Sequence, residues 1–124
     1  MKYLLDSNIV IGAALAIGEP LRRRMADCNA GDMVMSSIVY AEVAFGCIQA
    51  KPPAIAVLHA FVEEVPIVDF DATAAIAYAG LPFRRASYDR LIAAHALALQ
   101  LTLVTDNIAH FADIPGLRVE NWTA

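Results

Sequence analysis

Four carboxylates interrupt otherwise apolar stretches of this 124-residue chain, each where a strand would end or a helix begin. Asp6 follows Tyr3-Leu4-Leu5, and Asp106 follows Leu101-Thr102-Leu103-Val104-Thr105. Glu42 lies among Tyr40, Ala41, Val43, Ala44 and Phe45, and Asp89 opens the stretch that continues to Leu99. Singly, each has an ordinary explanation. Asp6-Ser7-Asn8 and Asp106-Asn107 read as turn or capping residues, and Asp89 suits the positive end of a helix. Jointly they do not. Four acids meeting at one rim would repel by about 4 kcal/mol per close pair at an effective dielectric of about 20, so the cluster needs protons or bound cations. Carboxylate, amide and hydroxyl oxygens without a thiol suit a hard divalent ion. Mg²⁺ takes few carboxylates and keeps waters, leaving room for a phosphate. One or two such ions can activate a water and stabilise the charge of a phosphodiester displacement. The chemistry expected from the residues is metal-assisted phosphodiester hydrolysis. Ser7 and Thr105 flank two of the acids, where their hydroxyls can orient a carboxylate or a water or serve as plain strand-end hydroxyls.

The elements that must position these acids alternate. Tyr3–Leu5 reads as a strand, 9–17 as a helix closed by Gly18, and Pro20 as the first turn of a second helix ending near Gly31. Met33–Met35 is a strand, Ser36 or Ser37 a cap, and 38–49 a helix. Pro52-Pro53 ends it and starts another through Val62; 66–68 is a strand, Asp71 caps a helix over 72–80, and Leu81-Pro82 breaks it. Ser87 caps the helix through Asp89 to Leu99; 101–105 and 116–120 are the last strands. Alternation at these spacings predicts a single 1–124 domain with a mainly parallel sheet between helices, a three-layer α/β/α sandwich. In a parallel sheet, strand carboxyl ends and the starts of the following helices share one edge, where ligands bind.

Composition narrows the setting. Hydrophobic residues make up 59% of the chain and mean hydropathy is +0.54, yet no charge-free run approaches the roughly 20 residues of a spanning helix. Lys2 followed by Asp6 leaves no room for a signal-peptide apolar core, so a cytoplasmic protein is expected, with its surplus apolar surface covered by a partner. Cys28 and Cys47 have neither redox nor zinc spacing and read as small apolar residues. The net charge of −4 gives no bulk attraction for nucleic acid, so any such binding must run through cations and local arginines. Phosphate contact is assigned to Arg84, Arg85 and Arg90, near Asp89 in sequence, whereas Arg22-Arg23-Arg24 reads as a solvated helix face. His95 reads as a core or interface histidine. His110, after Asp106-Asn107, is the histidine placed to reach a substrate.

The residues also carry a resemblance. Tyr3-Leu4-Leu5-Asp6-Ser7-Asn8, Ser37 with Glu42 in Ser-Ile-Val-Tyr-Ala-Glu, Asp89-Arg90-Leu91-Ile92-Ala93-Ala94-His95-Ala96-Leu97, and Leu103-Val104-Thr105-Asp106-Asn107 with His110-Phe111 follow in order, ending Ile114-Pro115-Gly116-Leu117-Arg118-Val119-Glu120-Asn121-Trp122. In this the chain resembles the PIN-domain ribonucleases, specifically the VapC-type toxins of prokaryotic toxin–antitoxin pairs, over essentially its whole length. The resemblance implies a Mg²⁺ or Mn²⁺ site at Asp6, Glu42, Asp89 and Asp106, bordered by Asn8 and Asn107, with Ser7 where the family often has Thr. It further implies endonucleolytic cleavage of RNA, often tRNA or rRNA, restraint by a VapB-type antitoxin, and a homodimer with candidate surfaces at 34–49 and 54–62. Two features depart from the pattern: a shortened stretch between Tyr78 and Asp89, and Asp113, which has no evident role beyond a loop charge. The alternative of a non-catalytic binding module on the same fold is disfavoured by the complete acid set. A phosphoacceptor domain is disfavoured too, since Lys2 and Lys51 are the only lysines.

Overall fold

In the computed structural model, which describes residues 1–82 and 86–124, five short parallel strands form one sheet in the order β3-β2-β1-β4-β5. They are β1 (Tyr3–Leu5), β2 (Met33–Ser36), β3 (Ile67–Val68), β4 (Thr102–Val104) and β5 (Val119–Glu120). Six helices join them: α1 (Ser7–Ala14), α2 (Glu19–Ala26), α3 (Ser37–Ile48), α4 (Ile55–Glu64), α5 (Ala72–Ala79) and α6 (Tyr88–Leu99). The strands read as nearly continuous apolar runs because both faces are covered. Leu4, Leu5, Met35, Leu103 and Val104 are wholly buried. Helices α1 to α4 contact one another, and α5 packs on α6. Right-handed crossovers account for this division, because the chain steps outward from β1 to β3 and then returns past β1 to β4.

The register matters for function. Leu5 pairs with Val104, and the ladder runs one step further, with the Asp6 N–H donating to the Val104 carbonyl at 2.9 Å. Asp6 and Thr105 are therefore neighbours at the carboxyl edge, and α1 and α3 begin directly after β1 and β2 there.

Helix starts lie where the side-chain chemistry points. Asp6, Ser36, Asp71 and Ser87 each accept a hydrogen bond from a first-turn N–H of α1, α3, α5 and α6. Several helix ends differ from expectation. Helix α1 begins at Ser7 rather than 9 and stops at Ala14 rather than 17. Its closure is a Schellman turn in which Ala16 N–H reaches Ala13 O at 3.0 Å and Ile17 N–H reaches Gly12 O at 2.9 Å. Ala16 takes the left-handed φ of 54°, the role usually given to glycine, so the sequence offered no cue. The same device, with Ala50 and Gln100 in left-handed conformation, closes α3 and α6. Gly18, expected to close α1, instead stands at φ 87° before α2, a conformation that favours glycine. Helix α2 ends at Ala26, short of Gly31, and a 3₁₀ turn at Ile108–Phe111 was not anticipated.

Candidate active site at the carboxyl edge of the sheet

The four acids arrive from four separate segments. Asp6 caps α1, Glu42 sits mid-way along α3, Asp89 is the second residue of α6, and Asp106 follows β4. Asp6 is buried, with relative exposure 7%. Its Oδ1 accepts from the Ser7 N–H and its Oδ2 from the Thr105 hydroxyl, both at 2.8 Å. Burial pushes its carboxyl above the usual range, opposed by those two hydrogen bonds and reinforced by repulsion from Asp89 and Asp106. Glu42, whose Oε1 accepts from the Ser7 hydroxyl at 2.9 Å, is also pushed up by burial. The Ser7 bond opposes the shift, while Asp6 and Asp89 add to it. These mutual repulsions are the electrostatic mark of one shared rim.

Polar neighbours hold the ring in place. Thr105 both donates to Asp6 and accepts from the Asn107 N–H at 3.1 Å, locking the turn after β4. The Asn8 amide makes a long contact of 3.4 Å to Asp106. His110, on the 3₁₀ turn, places Nδ1 3.1 Å from Asp89 Oδ2 and 3.0 Å from the Asn107 side-chain amide. An ionised carboxylate can only accept, so Nδ1 carries the proton when it bonds Asp89, and without that proton it accepts from the Asn107 amide N–H. His110 thus joins the site through contacts the sequence could not show. The only prior signal was its position four residues after Asp106.

Among the described residues, no three Asp, Glu, His or Cys side chains already enclose a metal position. The four acids expected as ligands offer hard oxygens along one edge without enclosing a metal position. That donor set suits an ion that binds through few carboxylates and retains waters, and each Asp6 oxygen keeps a lone pair beyond the hydrogen bond it accepts. Beside Asp89 and His110 the rim opens into a cleft of about 570 Å³.

The basic residues divide differently from expectation. Arg84 and Arg85 lie outside the described residues. Arg90 is not an exposed phosphate contact: it is 7% exposed, donates to the Pro82 carbonyl at 2.6 Å and pairs with Asp113 at 3.4 Å. Packing of α6 turns its stem inward, and Asp113 thereby acquires the partner that its sequence context did not reveal. Nor is the arginine triplet wholly solvated. Arg24 bridges to Glu120 at 2.7 Å and lies 5.0 Å over the Trp122 ring, tying α2 to β5, while Arg23 pairs with Glu19 one turn earlier. His95 is a core residue as expected. Its Nδ1 lies 2.8 Å from the Ser36 hydroxyl and its ring meets Phe70 edge-on.

Residues 3–117 match the PIN domain family. The chain is 33% identical to the tRNA(fMet)-specific endonuclease VapC of Salmonella typhimurium, covering 98% of each. It is also 33% identical to ribonuclease VapC2 of Haemophilus influenzae, again over 98% of each. Among solved structures, VapBC2 from Rickettsia felis bound to a DNA fragment from their promoter aligns with a TM-score of 0.87 at 32% identity, over 98% of this chain and 99% of that one. The DNA-bound VapBC of Salmonella typhimurium aligns with a TM-score of 0.82 at 32% identity, over 98% of both chains.

Proposed function

The chain belongs to the PIN domain family, and from that premise we propose that it is a divalent-metal-dependent endoribonuclease, the toxin of a type II toxin–antitoxin pair. The observation that carries the reading is the meeting of Asp6, Glu42, Asp89 and Asp106 at one sheet edge, with Asp6 and Glu42 held toward protonation partly by their acidic neighbours. An arrangement that raises its own electrostatic cost is retained where a cation offsets it. Asp6, Asp89 and Asp106 hold Mg²⁺ or Mn²⁺ in this reading, with Glu42 as a further ligand or as the group orienting the attacking water. Bound there, the cation supplies countercharge and Lewis acidity for hydrolysis of a phosphodiester.

The chain's own residues do the positioning. Ser7 aims Glu42, Thr105 aims Asp6, and His110 aims Asp89, so the three carboxylates keep their orientation before substrate arrives. Asn8 and Asn107 border the rim and supply amide donors to phosphate oxygens. Arg84 and Arg85, next to α6 in sequence, remain candidate contacts for RNA. The substrate class is tRNA or rRNA, in keeping with relatives named as a tRNA-specific endonuclease and as ribonucleases. The partner is a VapB-type antitoxin, as in the solved VapBC complexes. Phe45 and Ile48 on α3 are 68% and 78% exposed, and Ile55 and Val57 on α4 are each 41% exposed. These apolar side chains favour coverage by a second copy or by the antitoxin. No helix among the described residues is long and apolar enough to cross a membrane, and action on cellular RNA puts the protein in the cytoplasm.

The test is cleavage of total RNA by purified, antitoxin-free protein beside Asp6→Asn, with Mg²⁺, Mn²⁺ or EDTA. Discrete fragments from the wild type alone, lost with EDTA and restored by metal, are expected. A folded, metal-loaded protein that cuts no tRNA or rRNA would return the balance to the binding-module alternative.

A further inference from the structure

A second cleft opens at the start of α6. It encloses about 500 Å³ and is lined by Tyr78, Ala86, Ser87, Tyr88 and Leu91, a volume within the about 300–1,000 Å³ of small-molecule sites. Its lining is mostly apolar carbon, with two phenols and one serine hydroxyl as the polar tips. Tyr78 stands in the last turn of α5 and Tyr88 is the first residue of α6, and these helices pack on each other, so both tyrosines sit on ordered elements. Tyr88 is 60% exposed. Among the described residues neither ring meets another aromatic and neither phenol is held in a hydrogen bond. The Ser87 hydroxyl accepts from the Arg90 N–H at 3.3 Å and keeps its own proton to donate. Ser87 also lines the cleft beside Asp89 and His110, so the two clefts adjoin at the residue that caps α6, and Tyr88 directly precedes Asp89. An apolar cleft with uncommitted aromatic rings suits an unstacked nucleobase, because every base has a π-face. The cleft is too small for the apolar face of a partner helix, whose anchors at i, i+4 and i+7 span about two turns.

We propose that the cleft between Tyr78 and Tyr88 is a stacking subsite for single-stranded RNA: a strand leaving the catalytic rim crosses Ser87, and one of its bases unstacks and lies against the Tyr88 ring. The inference rests on the nuclease reading of the acidic rim and adds to it the form of the substrate, an unpaired segment beside the cut. A base within a duplex has its faces covered by its neighbours and cannot enter. Stacking gives affinity with little choice among bases, so this subsite holds the strand in position at the rim rather than selecting its sequence.

The test removes one exposed ring. Tyr88→Ala keeps the Ser87 cap and puts a strong helix former in the first turn of α6, whereas Tyr88→Phe keeps the stacking face. Each is combined with Asp6→Asn, so that RNA is bound without being cut, and the probe is a short fluorescent single-stranded RNA of mixed sequence. Binding should weaken about tenfold with Tyr88→Ala and hold with Tyr88→Phe. Irradiation of the same RNA carrying iodouridine should join it to Tyr88 or Tyr78, identified by mass spectrometry. In the cleaving protein KM should rise about tenfold with Tyr88→Ala and not with Tyr88→Phe, while Mn²⁺ binding, followed by electron paramagnetic resonance, should not change. If the wild type cuts nothing, the nuclease reading fails, and the binding and crosslinking arms still judge the subsite. Equal RNA binding by Tyr88→Ala and its parent, or crosslinks confined to other residues, overturns the proposal. That is also the result if the two tyrosines serve only a protein partner.

Discussion

Replacing Asp6 by asparagine separates the catalytic demand on that carboxylate from its structural one. Asparagine caps a helix about as well as aspartate, so the Ser7 N–H keeps its acceptor. The Thr105 hydroxyl loses its acceptor in a buried setting, at a cost of about 1 kcal/mol. Against this, the substitution removes a buried negative charge that faces Asp89 and Asp106. At an effective dielectric of about 20, a like pair repels by about 4 kcal/mol at 4 Å and about half that at twice the distance. The metal-free variant should therefore be more stable than the wild type by about 1–3 kcal/mol at pH 8, or about 4 °C in Tm per kcal/mol for a chain of this size.

The advantage must depend on pH. The folded chain holds the Asp6 proton more tightly than the unfolded chain. Wild-type stability due to this group is therefore lost as pH rises from the ordinary carboxylate range through the folded-state titration. Urea unfolding in EDTA at pH 5 and pH 8, read as the difference between the two proteins, cancels the titrating groups that Asp6 does not influence and leaves Asp6 with the acids it faces. The difference should be largest at pH 8 and shrink toward acid, while RNA cleavage falls at least about 100-fold at every pH. A variant less stable than the wild type at pH 8, or an advantage that ignores pH, would refute the reasoning.

Other perturbations probe the supports. Thr105→Val removes the hydroxyl that binds Asp6 and the Asn107 N–H; stability should fall by about 1–2 kcal/mol, and kcat should fall more than KM changes. Arg90→Met strands the Pro82 carbonyl and uncouples Asp113, and urea unfolding should register a loss of about 2–4 kcal/mol. Burial holds the His95 imidazole below its ordinary 6.5, with Asp71 and Asp69 opposing. Its contribution is therefore present above pH 6.5 and lost as pH falls below that value. The acid-side slope of wild-type stability measured by thermal melts should flatten in His95→Gln.

Much of this protein was legible before its structure because the signals are local. Apolar runs of three to five residues ending in polar groups set the strands, and Asp6, Ser36, Asp71 and Ser87 mark helix starts through side-chain capping, which needs only near neighbours. The acids Asp6, Glu42, Asp89 and Asp106 stood out for the same reason, as charges in apolar surroundings. Helix ends were less legible, because Ala16, Ala50 and Gln100 close Schellman turns without glycine, and the left-handed residue is chosen by what the following chain must reach. Tertiary packing alone decided the rest. It alone placed Thr105 against Asp6 through the β1–β4 register, Ser7 against Glu42 through the α1–α3 contact, and His110 against Asp89 across twenty-one residues of chain. It also drew Arg90 inward to Asp113 and Arg24 over Trp122. A side chain's chemistry is inscribed in its type, but its partner depends on which surfaces the fold closes together, and that is a property of the whole chain's packing.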